Sequence, residues 1–485
     1  MAKAEAVDNA PAHEFLKYVN TTGSPYHSVS SLKALLLAKG FRELDERSGW
    51  DVAPGGNYFV IRNHSAIAAF HIGSEFVTGH GGIDIIAGHT DSPCLRLRPN
   101  TTVEKEGYLQ IGVECYGGGL WHTWFDRGLG LAGKVMVRRK APQSTQERLE
   151  IHFVRIDRSV CILPNLAIHL RTAEERDAFK VHRENHLMPI LCSKVREQLV
   201  EPPPDKNDKK NNDKTGKNGR HHAPLLSLLA GELGCQPEEI VDLDLCLMDA
   251  TPSRLCGVYD EFLESPRLDN LVSSWAAIKA LMDLCEGCHS HADPACHQDI
   301  WVAVAFDHEE IGSTTWAGAD SAAMETWIVR ILRGLKMEDR LAEVIARSFL
   351  MSADMAHGVH PNYADKHQPQ HKPLLQKGVV LKENINQRYT THALTSAIFR
   401  EICRCGNVPM QDFVVKNDSP CGSTVGPMLS AKLGIRAIDV GIPQWAMHSC
   451  RETCGADDIT HYLNLFKAFF GYFRAIDNGI VAVNS

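Results

Sequence analysis

Short apolar runs bounded by polar residues are spaced along most of the chain. Five of them have the length and content of buried strands and lie at 83–87, 301–306, 349–353, 412–416 and 437–440. Two longer stretches, 271–284 and 459–475, repeat apolar residues at the spacing of an amphipathic helix. Strands that alternate with helices predict an α/β fold.

A different pattern occupies the middle of the chain, beginning at about residue 98. Strand-like runs follow one another there, at 108–113, 134–139 and 149–156. We therefore predict that a β-rich domain, 98–243, is inserted into an α/β domain whose two parts are 1–97 and 244–485.

Two segments lack the apolar residues that a packed core needs. The lysine-rich stretch 201–222 is polar throughout, which predicts a disordered loop inside the inserted domain rather than a nucleic-acid patch. The stretch 285–297 has cysteines and histidines at spacings that resemble a zinc finger, but the second Cys-x-x-Cys half is missing. We interpret it as a loop, with a structural zinc as the alternative.

Composition restricts the classes of function. The chain has 485 residues and a formal net charge of −8, which argues against nucleic acid or an anionic membrane as a partner. No secretory leader is visible, and no apolar stretch is long enough to span a bilayer. Fifteen scattered cysteines, an odd number, indicate reduced thiols rather than a disulfide framework. We predict a cytoplasmic protein.

The first candidate chemistry follows the run 301–306, where the sequence continues as Asp307, His308, Glu309 and Glu310. Adjacent acidic residues at the end of a buried strand are costly to desolvate unless a positive charge meets them. A divalent cation would meet that need. Neighbouring side chains of an extended segment point in opposite directions, so one glutamate could bind a metal while the other carries a proton.

Similar polar positions occur at other predicted strand ends or strand–helix boundaries, and the full set is His89, Asp269, Glu309 with Glu310, Asp354 and His448. Taken singly, each has an ordinary alternative, such as a hydrogen-bonded core histidine at residue 89 or a helix cap at residue 269. Together they could hold two divalent cations if one carboxylate bridges them. Zinc suits such donors first, with manganese or cobalt as alternatives. Two such ions can polarise a carbonyl and activate a shared water.

The chain resembles the aspartyl aminopeptidase family of dinuclear metallo-exopeptidases in six segments that occur in this order: AGHTDSPC, ESPRLDN, FDHEEIGS, SADMAH, NDSPCGSTVGP and QWAMHS. The resemblance covers nearly the whole chain, including YGGGLWHTWFDR and LAIHL in the inserted region. Any one segment would be weak, but the set is specific. It implies a mixed-sheet catalytic domain with an inserted β-rich dimerisation domain.

The resemblance also implies a ligand set. One metal would be held by His89 and Asp354 and the other by Glu310 and His448, with Asp269 bridging the two. In this family the bridging aspartate is usually followed by a cis peptide, here Asp269–Asn270.

Catalytic and specificity roles follow from the same resemblance. Glu309 would be the general base, and Asp91 would orient His89. The substrate would have an N-terminal aspartate or glutamate, and the residues implied to contact it are Glu309, Asp354, His357, Lys382 and Tyr389, with His169 from a neighbouring subunit. The lysine gives a physical reason for acidic preference, because charge-assisted hydrogen bonds are the strong ones.

The family assembles as a tetrahedral homododecamer, so the resemblance implies self-association as well as peptide substrates. Two other functions stay open at this point. One is a neutral-residue aminopeptidase or deacylase that uses the same site. The other is a catalytically silent self-assembling shell, against which the filled metal and base positions speak.

Overall fold

The computed structural model describes residues 8–140, 146–200, 219–286 and 297–481. The lysine-rich stretch 201–218 and most of the Cys/His stretch, 287–296, lie outside the described residues. The α-helices are α1 Ala10–Val19, α2 Pro25–Ala38, α3 Ala173–Asp177, α4 Arg183–His186, α5 Lys194–Val200, α6 Ala223–Leu233, α7 Leu268–Cys285, α8 Ala323–Gly334, α9 Leu341–Arg347, α10 Ala393–Cys405, α11 Val425–Leu433 and α12 Ala456–Asn478.

The strands are β1 Arg42–Leu44, β2 Asn57–Arg62, β3 Ala66–Ile72, β4 Ile83–His89, β5 Cys94–Lys105, β6 Tyr108–Tyr116, β7 Gly128–Lys140, β8 Glu147–Ile162, β9 Ile190–Ser193, β10 Ile240–Asp249, β11 Arg254–Cys256, β12 Phe262–Ser265, β13 Ile300–Phe306, β14 Phe349–Ala353, β15 Ala356–His357, β16 Val379–Glu383, β17 Met410–Val414, β18 Arg436–Gly441, β19 Pro443–Trp445 and β20 Glu452–Gly455.

The chain divides into two compact units. The first consists of Met1–Ser92, Ser253–Met447 and Glu452–Ser485, and the second of Pro93–Pro252 with His448–Arg451. The sequence analysis set the inserted domain at 98–243. The predicted mixed α/β class is confirmed. Within the described residues no helix is both long and apolar enough to cross a membrane.

The first unit contains a nine-stranded mixed sheet in the order β1-β2-β3-β13-β4-β14-β18-β16-β17. Its central strands β13, β4, β14 and β18 are parallel neighbours. A five-stranded sheet, β11-β12-β20-β19-β15, belongs to the same unit. Parallel strands place their carboxyl ends at one edge, where α/β proteins bind ligands.

The apolar run of β13 is uninterrupted because both faces of this strand are buried. Trp301, Ala303 and Ala305 join one hydrophobic core, which includes residues of α7 and α12. Val302 and Val304 join a second core, which includes residues of α8. Because successive side chains alternate between the two faces, a strand covered on both sides must be apolar at every position.

A buried ionic cluster lies at the amino-terminal ends of β4 and β13. The Arg474 Nε donates to both carboxylate oxygens of Asp299, at 2.9 and 3.0 Å. Asp84 Oδ1 lies 3.7 Å from Arg474 Nη2, and neither oxygen of Asp84 has a hydrogen-bond partner within the described parts of the chain. Burial raises the pKa of Asp84 well above its usual range, and the charge of Asp299 adds to the shift. Burial also raises the pKa of Asp299 to about 6.

The second unit is built on a closed barrel in the order β10-β5-β6-β9-β8-β7. The alternation along β8 places Val154 on the buried side. It leaves Leu149, Ile151 and Phe153 exposed on the outside, at 59%, 45% and 37%. An outward-facing apolar row of this kind is typical of a surface that another chain covers.

One predicted strand differs from the structure, and one helix was missed. The strand expected at 412–416 is Met410–Val414, because its parallel partner β16 ends at Glu383, which pairs with Val414. Helix α10 was not predicted, although Ile398, Phe399 and Ile402 are buried at helical spacing along it.

Candidate metal centre

Ligand-type side chains converge at the carboxyl-terminal edge of the central strands. His89 is the last residue of β4, and it lies in register with Phe306, the last residue of β13. Glu309 follows in the turn after β13, and Asp354 follows β14 directly. The parallel arrangement therefore brings together residues that are far apart in the sequence.

His89 lies at the centre of this group and is only 2% exposed. Its Nε2 is 3.4 Å from Asp269 Oδ1, 3.6 Å from Asp354 Oδ1 and 3.8 Å from Glu309 Oε2. Burial alone would lower the pKa of His89, but the carboxylates, Glu309 first among them, raise it well above its usual range. An imidazole surrounded by carboxylates in this way is an environment that attracts positive charge.

The donors fit a divalent metal. Potential ligand atoms of His89, Asp269 and Asp354 all lie within 4.8 Å of one another, and so do those of His89, Glu309 and Glu310. The Oδ1 atom of Asp354 is buried and has no hydrogen-bond partner among the residues that the structure describes. Burial raises the pKa of Glu309 to about 8, although His89 opposes the shift. Clustered carboxylates with an imidazole are the donors that zinc accepts, and a bound cation would offset their repulsion.

Asp91 fixes the acidic turn after β13. Its two carboxylate oxygens accept the backbone N–H groups of Glu309 and Glu310, at 3.0 and 3.1 Å. The backbone carbonyl of Asp91 is 3.1 Å from His89 Nδ1, and its Oδ1 is 3.4 Å from the same atom. One aspartate therefore positions both the histidine and the two glutamates.

Asp269 lies at a break in the first turn of α7. Its backbone has φ −82° and ψ 104°, which is not helical, and the Asp269–Asn270 peptide is cis, as the family resemblance implies. The Asp269 N–H donates to Glu452 Oε2 at 3.0 Å, and its carbonyl accepts from Ser92 Oγ at 2.5 Å. Glu452 is buried, and sequence reasoning missed it because it is a single glutamate in a short strand.

Lys382 is buried beside this centre, where a lysine needs a partner. Its Nζ donates to the Met355 carbonyl at 2.9 Å and lies 3.4 Å from Asp354 Oδ2. The same ammonium group is 5.3 Å from the centre of the Tyr389 ring. Lys382 is therefore a buried cation and not an exposed strand lysine.

The loop that carries Tyr389 is tied down by a carboxylate that the sequence analysis did not single out. Asp439, fully buried in β18, accepts the Thr390 backbone N–H at 2.6 Å and the Thr390 hydroxyl at 2.8 Å. It also accepts the Thr424 hydroxyl at 2.5 Å. A lone aspartate in an apolar run was the available signal, since an unpaired buried carboxylate is costly.

Three predicted site residues are histidines with exposed or half-buried side chains. The His357 side chain is exposed, yet desolvation by the surrounding protein lowers its pKa to about 4. The positive charge of Lys382 adds to this shift. His169 is exposed in the short turn Ile168–Leu170 of the second unit. His448 also belongs to that unit, where its Nδ1 is 3.2 Å from the Gly118 carbonyl.

Comparisons with known proteins point to one family. The sequence matches the family described as aminopeptidase I zinc metalloprotease (M18) over residues 18–470. The aspartyl aminopeptidase of Dictyostelium discoideum is 41% identical over 483 residues, which cover 96% of this chain and 97% of that protein.

Solved structures of similar chains point to the same family. A chain in the cryo-EM structure of the Ape4 and Nbr1 complex is 41% identical, with a TM-score of 0.89 over 98% of this chain and 88% of that chain. A chain of the S. cerevisiae mApe1 dodecamer is 27% identical, with a TM-score of 0.79 over 97% of this chain and 98% of that chain. Both the family resemblance and the fold class are confirmed. The chain belongs to the aminopeptidase I zinc metalloprotease (M18) family.

Proposed function

We propose that this protein removes N-terminal aspartate or glutamate from peptides, using two divalent metal ions and a glutamate general base. The observation that carries the proposal is the buried cluster around His89 with the buried Lys382 ammonium beside it. The first feature supplies a centre for hydrolysis, and the second supplies a positive charge for an acidic side chain. The name of the Dictyostelium relative supports the same substrate class.

The proposed ligands of one metal are His89 and Asp354, and those of the other are Glu310 and His448, with Asp269 shared. The close approach of His89, Asp269 and Asp354 supports the first group, and the resemblance in QWAMHS supports His448. These residues would hold zinc, which would supply Lewis-acid chemistry for polarising a carbonyl and lowering the pKa of water. Zinc is our first choice because the family is one of zinc metalloproteases, with manganese or cobalt as alternatives.

The chain's own groups would move the proton. Glu309 Oε2 would accept the proton of the attacking water and later donate it to the nitrogen of the leaving amine. Asp91 would hold Glu309 in place through the backbone N–H that it accepts. The family resemblance also assigns Asp354 to substrate contact, and the second oxygen of its carboxylate lies 3.4 Å from Lys382 Nζ.

Acidic preference would come from Lys382, with Tyr389 and His357 as neighbouring contacts. The ammonium group is already desolvated, so an incoming carboxylate would gain a strong charge-assisted hydrogen bond. A neutral side chain would leave that charge without the substrate's counter-charge. His169 would complete the pocket from a neighbouring subunit, as the resemblance implies.

Replacing Lys382 with alanine should reduce kcat/KM for aspartyl amide by about 10- to 100-fold, since a hydrogen bond to a charged group contributes roughly 1.5–3 kcal/mol. Cleavage of leucyl amide should change much less. Steady-state kinetics on both substrates measures the ratio. Lys377→Ala, at an exposed lysine, is the matched control. An unchanged aspartyl-to-leucyl ratio in Lys382→Ala would remove this residue from the pocket.

Stripping the protein of metal with a chelator should abolish cleavage of aspartyl, glutamyl and leucyl amides, and restoring zinc, manganese or cobalt should return it. The reason is that the carboxylates around His89 cannot polarise a carbonyl by themselves. Metal analysis of the restored protein should give two ions per subunit. If metal restored cleavage of leucyl amide alone, the proposed metal centre would stand and the proposed acidic specificity would be rejected. If no metal restored any cleavage, the result would favour a catalytically silent self-assembling shell.

We further propose that the chain assembles with copies of itself, as a tetrahedral homododecamer in which the inserted unit forms dimers. The mApe1 relative was solved as a dodecamer. The exposed row Leu149, Ile151 and Phe153 offers an apolar surface for a second copy. A cytoplasmic location is supported by the cysteines, because none of the 13 within the described parts of the chain forms a disulfide.

A further inference from the structure

A cavity of about 300 Å³ opens in the first unit beside His357 and Tyr389. We call it the basic cavity and define it by Lys366, Lys416, His360 and His367 together with those two residues. Its volume is at the lower end of the range for ligand pockets, which is large enough for a side chain and part of a peptide backbone.

The charges that line the basic cavity have one sign. Lys366 and Lys416 are among its lining residues, and no aspartate or glutamate is. The Lys416 Nζ donates to the Asp365 carbonyl at 3.2 Å, which holds the two lysine-bearing segments together. Within the described parts of the chain, neither Lys366 nor Lys416 forms an ion pair with a carboxylate. The cavity therefore has two ammonium groups available to an anionic ligand.

Aromatic side chains of the basic cavity are held in place by local contacts. The Phe413 ring makes edge-on contacts with the rings of His357 and His367, with centroids 5.6 and 6.3 Å away. The Trp445 indole N–H donates to the Val359 carbonyl at 2.8 Å. Such fixed aromatic groups in a cavity that also contains lysines would hold the aliphatic part of an acidic side chain while its carboxylate meets the lysines.

Tyr389 connects the basic cavity with Lys382. Its ring lines the cavity, and its centre is 5.3 Å from the Lys382 ammonium group, which is not among the lining residues. Tyr389 is therefore a neighbour of two positive regions, the Lys382 ammonium group and the basic cavity. A substrate with a single carboxylate can use only one of them at a time.

We propose that the basic cavity is a second anion subsite, which takes the acidic side chain of the residue after the scissile bond. This inference rests on the proposed function, in which Lys382 receives the N-terminal acidic side chain. It adds a preference, within the proposed substrate class, for peptides that begin with two acidic residues. Each pairing of a carboxylate with a partly exposed lysine is worth a few-fold in affinity, so the two lysines together should contribute roughly five- to tenfold.

The test compares two peptide amides, Asp-Ala-Ala-NH₂ and Asp-Asp-Ala-NH₂, on the metal-loaded protein and on the variant Lys366→Gln/Lys416→Gln. The native protein should favour the second peptide by roughly five- to tenfold in kcat/KM, and this preference should weaken as ionic strength rises. The double variant should lose the preference while cleaving Asp-Ala-Ala-NH₂ at the native rate. Lys336→Gln/Lys377→Gln removes two exposed lysines that do not line the cavity and should keep the preference.

Other outcomes would overturn the inference. If the native protein and the double variant preferred Asp-Asp-Ala-NH₂ to the same extent, the two lysines would have no role in binding the second acidic residue. If the double variant differed from the native protein in the ratio of kcat/KM for Glu-Ala-Ala-NH₂ to kcat/KM for Asp-Ala-Ala-NH₂, the cavity would be assigned to the N-terminal side chain instead. Failure of the native protein to cleave any aspartyl peptide would reject the proposed function itself, which this design separates from failure of the subsite.

Discussion

Replacing Glu309 with glutamine should lower kcat for aspartyl amide by about 10²–10⁴-fold while the metal content stays unchanged. Glutamine has nearly the same size and can keep the backbone hydrogen bond to Asp91, but it cannot accept the proton of water. The expected loss is therefore one of turnover rather than of fold. Steady-state kinetics and elemental analysis of the same sample measure both quantities.

The neighbouring residue provides a matched comparison. Glu310→Gln should lose metal, because a neutral amide is a weaker ligand than a carboxylate, and the ratio of metal to subunit should fall. Glu343→Gln, at an exposed position of α9, should change neither turnover nor metal content. The two glutamates cannot be told apart by their grouping alone, since both lie with His89. Metal loss in Glu309→Gln, together with lost turnover at full metal content in Glu310→Gln, would exchange their roles.

Replacing Arg474 with methionine should reduce the free energy of unfolding by about 3–5 kcal/mol at neutral pH. The change would leave Asp299 without the cation that now donates to both of its oxygens, and it would leave Asp84 buried beside it. Urea unfolding of the metal-loaded protein measures the loss. Arg333→Met, at an exposed arginine of α8, is the control and should have little effect.

The loss should depend on pH in a defined direction. A carboxyl group with a folded-state pKa above its unfolded value stabilises the fold below the unfolded pKa, and this stabilisation is lost as pH rises through the folded pKa. For Asp299 the window lies between about 4, its unfolded value, and about 6. Without Arg474 to oppose them, both carboxyl pKa values should rise further, so the Arg474→Met defect should be small near pH 4 and large at pH 8. Adding Asp84→Asn should recover part of it. An equal defect at both pH values would contradict this account.

The apolar runs predicted the central sheet well because the strands are buried on both faces. The run 349–353 is β14 to the residue, and 301–306 is β13 without its first residue. Less apolar elements were harder to predict. The predicted bounds of β17 were wrong because its pairing with β16 determines where the strand ends. The sequence alone does not show that pairing.

The candidate centre was predictable because its residues follow strands that the sequence already indicates. His89, Glu309 and Asp354 each come at or just after such a run. Glu452 and Asp439 were not predictable as supports, because they act through backbone groups of Asp269 and Thr390 that become neighbours only in the folded chain. The role of Lys382 as a substrate contact came from the family resemblance rather than from spacing, and its contact with Asp354 became visible only in the structure.

The positions of the proposed ligands also constrain how the protein reaches its native state. His89 ends one strand, Glu310 and Asp354 follow two others, and Asp269 lies in a helix, so no short segment can capture metal as a zinc finger does. Contacts over such long sequence separations form slowly. The sheet must therefore form before metal can bind. Metal then adds to the stability of the finished fold by mass action, and zinc should leave the rate of folding unchanged.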